Sequence, residues 1–348
     1  MAARGGTAAE PKPAHAAGAA ISAPARAGRW LGPIALVALI AFALALPAFV
    51  SGFRLYQFTQ VLIYAIALLG LNMLTGFNGQ ISLGHGAFYG IGAYTAAIMM
   101  DRWNVSYVWT IPTAGLICLI VGFLFGRPAL RLEGLYLALA TFSLALAVPQ
   151  VLKYFEEWTG GSQGIVLTKP MAPFGLKLTE DQWVYLFTLG VTLVLFALAW
   201  NLLRGRVGRA LVAIRDNHIA AEAMGINNAL YKSVTFGVSA AYTGIAGALS
   251  ALAVAFVAPD TFNVFLSITL LTGIVIGGFA TISGAIWGAL FIQFVPNWAQ
   301  DISKAAPWAI FGLFLIGFMY VMPRGIAGFL HMLWIRLSRS AVGRGKGR

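Results

Sequence analysis

Apolar runs separated by short polar segments follow one another along almost the whole chain. Hydrophobic residues make up 59% of the 348 residues and charged residues only 10%, whereas soluble domains carry about 25% charged residues. A helix crosses the hydrocarbon core of a bilayer in about 20 residues. Divided into runs of about this length, the sequence predicts an all-α integral membrane protein with about ten transmembrane helices. The predicted helices lie at residues 31–50, 57–75, 81–100, 107–126, 132–152, 183–203, 233–257, 263–283, 284–300 and 307–323.

Two of these divisions stay open. Very short turns join the paired runs within 57–100 and within 263–300, so one member of either pair could be re-entrant instead of spanning.

Basic residues collect at alternate ends of the runs. With a cytoplasmic N-terminus and ten spans, 17 of the 23 Lys and Arg residues fall in the segments placed inside. Because cytoplasmic segments of membrane proteins are enriched in Lys and Arg, we expect both termini in the cytoplasm. The inside segments are residues 1–30, 127–131, 204–232 and 324–348.

The two ends of the chain differ from its middle. Residues 1–28 are rich in Ala and Pro and are predicted to form a disordered cytoplasmic arm. The run at 31–50 is longer than the roughly 7–15 residues of a signal-peptide core, which favours an uncleaved first helix. We therefore expect a transmembrane domain over 29–325 and a basic cytoplasmic tail over 326–348.

All eleven acidic residues lie in loops or at the ends of the runs. Proton- and sodium-coupled carriers commonly use a carboxylate at membrane depth, in spite of its insertion cost. The sequence therefore disfavours a stand-alone secondary transporter, and energy for pumping is expected to come from another chain. Channel activity remains a weaker alternative.

One apolar stretch is rich in glycine and in uncharged polar residues. Residues 74–97, LTGFNGQISLGHGAFYGIGAYTAA, hold six glycines and no formal charge. Non-helical backbone at membrane depth survives only where it is buried or lines a water-filled cavity. We interpret the stretch as part of a passage for a polar solute, with candidate residues Asn72, Asn78, Gln80, Ser82, His85, Tyr89 and Thr141.

Each of these residues also has a structural interpretation. Asn72 and Thr141 could simply bond neighbouring helices, His85 could be a structural hydrogen-bonding partner, and Tyr89 could pack. Glycines spaced four apart permit close helix contact. The helix-packing candidates are Gly86, Gly90, Gly273, Gly277, Gly284 and Gly288.

Residues 204–232 are too polar to cross a membrane. The sequence predicts a helix–turn–helix here, with Asp216 or Asn217 as the cap of a second short helix. An amphipathic helix on lipid headgroups and a docking element for a soluble partner are both open interpretations.

Five segments occur together in one order. They read LTGFNGQISLGHGAFYGIGAY (74–94), GLYLALATFSLAL (134–146), TGGSQGI (159–165), RALVAIRDNHIAAEAMGIN (209–227) and SITLLTGIVIGGFATISGAIWGA (267–289). Together they resemble the permease subunits of branched-chain amino acid ABC importers, most closely the M-type subunit. The resemblance covers roughly residues 55 to 325 and gives no role to the terminal arm or tail.

The resemblance implies an ABC importer permease in the bacterial cytoplasmic (inner) membrane. The expected partners are membrane lipid, a second H-type permease subunit, two cytoplasmic ATPase subunits and a periplasmic substrate-binding protein. The implied cargo is leucine, isoleucine or valine, with urea, short amides or aromatic acids as alternatives. By the family pattern, 204–232 is a cytoplasmic coupling loop that contacts an ATPase through Arg209, Arg215, Asp216, Glu222 and Gly225.

No catalysis is expected from this chain. It has no GxxxxGK[ST] motif, so we expect ATP to bind to the partner subunits. We expect no cofactor bound by this chain. Gly160–Gly164 matches GxSxG, but that motif needs a strand-to-helix turn with His and acid partners. We expect no metal site. The net charge of +12 comes without an aromatic-plus-basic module, so no nucleic-acid partner is expected.

Overall fold

The computed structural model describes residues 31–50, 52–129, 132, 134–173, 177–302, 307–322, 325–330, 332 and 333. The arm predicted over 1–28 and most of the tail predicted over 326–348 lie outside these residues. The chain divides into two units, Met1–Ala45 and Leu46–Arg348. In the first unit the described residues belong to helix α1, Leu31–Phe49, whose last residues fall in the second unit.

The rest of the described chain is mainly helical. Its α-helices are α2 (Phe53–Asn72), α3 (His85–Asp101), α4 (Tyr107–Ala129), α5 (Leu135–Tyr154), α6 (Glu156–Thr159), α7 (Glu180–Arg204), α8 (Arg206–Asp216), α9 (His218–Ala223), α10 (Asn228–Val254), α11 (Val264–Gly277), α12 (Ile282–Ile302) and α13 (Pro307–Val321). Two short strands, β1 (Ile165–Val166) and β2 (Phe256–Val257), pair antiparallel.

A helix lies over each of the ten predicted runs. Within the described residues, five helical segments are long and apolar enough to cross a membrane: 53–77, 107–128, 135–154, 180–204 and 228–254. Residues 37–49 and 264–277 form shorter apolar helices. The all-α membrane architecture is confirmed, and the number of crossings stays a prediction.

Several helix ends differ from the predicted ones because polar side chains set them. Helix α7 begins three residues early because Thr179 and Gln182 form a capping box that satisfies its first amides. Helix α10 begins five residues early, where the Asn227 side chain accepts from the Leu230 N–H. Of the two caps predicted for the second polar helix, Asn217 is the one used, and it accepts from Ile219 and Ala220.

Helix α10 lies at the centre of the second unit. It packs along α4, α3 and α2, and a second group is formed by α11, α12 and α2. Glycine permits the closest approach: a Cβ at Gly247 would overlap the carbonyl oxygen of Tyr89, and one at Gly92 would overlap the carbonyl oxygen of Gly244. The core is therefore built on backbone-to-backbone contact, as expected for helices that lipid does not drive together.

The two ends of α10 carry different structures. Its last residue leads into β2, where Ile165 lies opposite Val257, and we call this the strand end. Nearby ion pairs join Lys153 to Asp260 at 2.6 Å and Lys169 to Asp181 at 2.7 Å. Its first residue follows the α8–α9 pair, and we call this the α8 end.

Candidate functional site

The backbone departs from α-helical geometry between α2 and α3. The end of α2 widens into a π-helical turn, Met73–Phe77, and residues 78–84 have no regular helix before α3 begins. We call residues 73–84 the break segment. π-helical turns within helices are frequent at functional sites, and this one lies inside the glycine-rich stretch singled out by the sequence.

Glycine and one backbone bond shape the break segment. Gly79 has a φ of 75°, in the left-handed region that glycine adopts without a steric penalty. The Gln80 N–H donates to the carbonyl oxygen of Leu74 at 3.1 Å, which closes the turn. The segment is thus an ordered loop held within the helical packing.

Uncharged polar groups are buried in this loop. The Asn78 Nδ2 donates to Gln80 Oε1 at 2.9 Å, and Asn78 is only 3% exposed. The Asn78 Oδ1 and the Thr75 Oγ1 are buried without a hydrogen-bond partner among the described residues. Because buried polar atoms are nearly always satisfied, these two oxygens are suited to accept hydrogen bonds from water or from a passing solute.

His85 joins three helices through serine hydroxyls. Its Nδ1 lies 3.0 Å from Ser82 Oγ, and its Nε2 lies 2.7 Å from Ser239 Oγ on α10. The Ser239 hydroxyl donates to the Gly70 carbonyl oxygen on α2 at 2.7 Å. Since a hydroxyl has one hydrogen, this network assigns a proton to Nε2. His85 is therefore a link in the helix packing.

Thr141 holds the break segment from α5. Its hydroxyl accepts from the Leu83 N–H at 2.9 Å and donates to the Ala138 carbonyl oxygen at 3.0 Å. A Cβ at Gly84 would lie 2.8 Å from the Thr141 carbonyl oxygen. The end of the break segment is thus pressed against α5.

Asn72 connects the break segment to a second turn. It is fully buried, its Oδ1 accepts from the Ala280 N–H at 3.0 Å, and its Nδ2 donates to the Thr281 carbonyl oxygen at 2.8 Å. Residues 278–281 join α11 to α12. The two short turns that the sequence left ambiguous therefore meet at the α8 end.

The predicted passage residues separate into groups. The structure brings Asn78, Gln80, Ser82 and His85 together in the break segment or at its end, with Asn72 and Thr141 at its borders. Tyr89 lies further along α3, buried with its ring centroid 6.0 Å from that of Phe262.

The predicted packing glycines make close contacts. A Cβ at Gly277 would overlap the Gly284 carbonyl oxygen, and one at Gly288 would overlap that of Gly273. Two further positions lie on α3: a Cβ at Gly86 would lie 2.7 Å from Ser267 Oγ, and one at Gly90 would lie 2.9 Å from Phe262 Cβ.

The α8–α9 pair presents the predicted coupling residues. Arg209 and Glu222 are exposed, and the Asn228 Nδ2 donates to Glu222 Oε2 at 3.4 Å. Gly225 has a φ of 84° and ends α9. The Ile226 N–H reaches back to the Ala221 carbonyl oxygen at 3.1 Å, in the manner of a glycine-terminated helix.

Arg215 differs from the rest of this set because it reaches toward the break segment, and Asp216 is paired with it. The Arg215 Nη1 donates to the Gly76 carbonyl oxygen at 3.0 Å, and its Nε and Nη2 donate to Asp216 Oδ1 at 3.0 and 2.9 Å. Sequence reasoning did not find this inward contact, because 139 residues separate Arg215 from Gly76.

Sequence reasoning also missed the small-residue face of α10. Gly237, Gly244 and Gly247 lie against α4 and α3, while Ser239 bonds α2 and α3. A signal was present, because small residues recur every three or four positions in 237–251.

The acidic groups of the described residues stay outside the packed interior. The acidic side chains whose burial the structure describes are exposed or half-buried. Within the same part of the chain, no group of three His, Cys, Asp or Glu residues could hold a metal ion. The break segment can form hydrogen bonds with uncharged polar groups of a solute, and it contains no carboxylate.

Comparisons with known proteins give one family. The family model described as "Branched-chain amino acid transport system / permease component" matches residues 53–323. The chain is 32% identical over 314 residues to the high-affinity branched-chain amino acid transport system permease protein LivM of Escherichia coli (strain K12), covering 84% of this chain and 74% of LivM.

Two further relatives are more distant. The permease protein LivH of the same kind of system in Salmonella typhimurium (strain LT2) is 27% identical, covering 76% of this chain and 91% of LivH. The autoinducer 2 import system permease protein LsrC of Salmonella paratyphi B is 26% identical, covering 75% of each chain. No solved structure gave a significant match. With the family model matching most of its length and LivM as a relative, this chain belongs to the branched-chain amino acid transport system permease family.

Proposed function

We propose that this chain is a transmembrane permease subunit of an ATP-binding-cassette importer that translocates branched-chain amino acids. The observation that carries the proposal is the family match along residues 53–323, which includes both the break segment and the α8–α9 pair. The LivM and LivH relatives are named for this transport.

The break segment supports a passage of low affinity. Asn78 and Gln80 bond one another and leave the oxygens of Asn78 and Thr75 free among the described residues. A neutral amide or hydroxyl can replace water around a solute without holding it through a charge pair. Asn72, Ser82, His85 and Thr141 make structural hydrogen bonds, so we expect Asn78 and Thr75 to contact the cargo first.

The orientation follows from charge. We propose ten crossings with both termini in the cytoplasm of a bacterium, in the inner membrane, because 17 of the 23 basic residues then lie inside. In this orientation the α8 end faces the cytoplasm. The α8–α9 pair would then be available to an ATPase subunit.

The strand end would face the periplasm and the substrate-binding protein. Asp181 and Asp260 are paired with lysines there, while Glu156, Glu157 and Glu180 are exposed. These three acids are suited to bind basic residues of a binding protein. A second permease subunit and two ATPase subunits complete the proposed importer, and ATP hydrolysis takes place on the ATPases.

Reconstitution tests the proposal. The chain is co-expressed with an H-type permease, two ATPase subunits and a binding protein of the same kind of transport system. The purified complex is placed in proteoliposomes with ATP on the side of the membrane that the ATPase subunits face. We expect uptake of labelled leucine that needs both ATP and the binding protein. Uptake by this chain alone, driven by a proton or sodium gradient, would overturn the proposal.

Cargo is tested in the same vesicles. Labelled urea and benzoate serve as the competing solutes, and autoinducer 2 is added because one relative is named for its import. ATP-driven uptake of one of these without leucine uptake would keep the permease role and replace the cargo.

A further inference from the structure

Arg215 sits between a surface helix and the break segment. Its Nη1 donates to the Gly76 carbonyl oxygen at 3.0 Å, inside the π-helical turn. Its side chain is 34% exposed, so it lies partly against the protein and partly in solvent. The guanidinium therefore ties the last turn of α8 to the backbone of the break segment.

The aliphatic part of the Arg215 side chain also limits which residue fits at position 79. A Cβ at Gly79 would lie 2.8 Å from the Arg215 Cγ, and the φ of 75° already favours glycine there. The arginine thus contacts the break segment at Gly76 through its head and at Gly79 through its stem. A shift of α8 would act on both positions together.

On its opposite side the π-helical turn is tied to the α11–α12 turn. Asn72 bonds the backbone of Ala280 and Thr281, and a Cβ at Gly76 would lie 2.5 Å from the Ala280 nitrogen. Ala280 itself has a φ of 55°, an unfavourable value for a residue with a side chain. Contacts therefore run from α8 through the π-helical turn to a strained turn.

Two unsatisfied groups lie at the π-helical turn. Thr75 Oγ1 inside the turn and Asn78 Oδ1, one residue after its end, are buried without partners among the described residues. A segment that leaves buried oxygens unpaired in one arrangement has a physical reason to adopt another. Coupling between distant sites needs such an element with two arrangements that both sites can bias.

We propose that Arg215 is a positioning residue that transmits movement of the α8–α9 pair to the π-helical turn at Met73–Phe77, and so changes how Thr75 and Asn78 face the passage. This inference rests on the proposed function, because the movement is supplied by the ATPase subunits. Arg215 acts through the Gly76 carbonyl and does not contact the cargo.

Amide hydrogen exchange in the assembled transporter tests this transmission. Exchange of the amides of residues 76–80 is compared in the nucleotide-free complex and in the complex trapped with ATP and vanadate. We expect a nucleotide-dependent difference at these amides in the wild-type complex. In Arg215→Ala this difference is lost. The wild-type complex should also show a nucleotide-dependent difference at the α9 amides of Ile219 and Ala220, and this second difference persists in Arg215→Ala.

Two further variants sharpen the readout. Arg215→Lys keeps the charge but replaces the three guanidinium nitrogens that bond Gly76 and Asp216 with a single ammonium nitrogen, and we expect it to behave like Arg215→Ala in exchange. Arg206→Ala removes an exposed arginine from the start of the same helix and is expected to keep both exchange differences. Cargo-stimulated ATP hydrolysis should fall about tenfold in Arg215→Ala, as for loss of a charge-assisted hydrogen bond.

The outcomes separate the inference from the proposed function. A wild-type complex without ATP-driven uptake refutes the proposed function. A wild-type complex that transports but shows no nucleotide-dependent change at residues 76–80 refutes the inference alone. So does a change at these amides that survives in Arg215→Ala.

Discussion

The inner helices α2 and α10 and the outer helices α4, α5 and α7 are all long and apolar enough to cross a membrane, yet they occupy different environments. In α2 with its π-helical turn, 83% of the most apolar stretch is buried, and in α10 78% is buried. The buried share of the corresponding stretch is only 33% in α4, 28% in α5 and 33% in α7. Lipid tails are as apolar as a protein interior. Hydrophobicity therefore selects membrane helices without deciding which of them lie inside.

The contacts made by glycine and serine differ between the two sets. A side chain at Gly247 of α10 would overlap the backbone of α3, whereas a Cβ at Gly190 of α7 would meet open space. Ser239 of α10 bonds two other helices, whereas Ser143 of α5 donates to the Leu139 carbonyl oxygen of its own helix at 3.1 Å. Position in the bundle, more than residue type, decides what these side chains do.

The largest difference is expected between two glycine substitutions. Gly247→Leu forces α10 away from α3 and should cost more than about 4 kcal/mol, enough to prevent stable assembly. Gly190→Leu adds a side chain on an open face and should leave the free energy of unfolding unchanged or raise it by up to about 1 kcal/mol, because leucine favours a helix more than glycine does. Denaturant unfolding in mild detergent measures both, and equal stability of the two variants would break the comparison.

A smaller difference is expected between two serines. Ser239→Ala leaves the Gly70 carbonyl oxygen and the His85 Nε2 buried without this partner, at a cost of about 1–3 kcal/mol. Ser143→Ala removes a bond within one exposed helix and serves as the control, with a change below about 0.5 kcal/mol. The same unfolding measurement applies. A Ser239→Ala variant as stable as Ser143→Ala would mean that the histidine network adds nothing to packing.

The smallest difference is expected at two side-chain amides. Asn72→Ala loses both bonds to the α11–α12 turn and should cost about 1–2 kcal/mol, because water can partly replace Asn72 at this half-buried turn. Gln150→Ala, on the exposed face of α5, is expected to be neutral. Faster amide exchange at Ala280 in Asn72→Ala, with no change in Gln150→Ala, would localise the effect. Unchanged exchange in both would remove Asn72 as the connection between the turns.

The sequence predicted the helices better than their ends. Each predicted run contains a helix, because apolar composition is local information. The start of α3 at residue 85 and the end of α11 at residue 277 differ from the predicted 81 and 283. Long-range contacts explain part of this: Leu83 bonds Thr141, and the Gly278–Thr281 turn bonds Asn72.

The candidate site was predictable in part. An uncharged, glycine-rich segment can be read directly from residues 74–97, and the polar 204–232 segment stands out between two apolar runs. Their contact through Arg215 and Gly76 was not predictable, because no local pattern indicates which carbonyl oxygen an arginine 139 residues away will reach. The same holds for Asn72, whose bonding partners lie more than 200 residues further along the chain.

The sequence by itself determined that this permease is an all-α membrane protein with an interrupted, uncharged segment, because chain hydrophobicity and the positions of charged residues require no knowledge of neighbours. Only the tertiary structure decided that α2 and α10 are central, that the break segment meets both α8 and the α11–α12 turn, and that the oxygens of Thr75 and Asn78 are left unpaired. The physical reason is that lipid and protein interior are equally apolar. Steric fit and hydrogen bonds between distant segments therefore choose the arrangement.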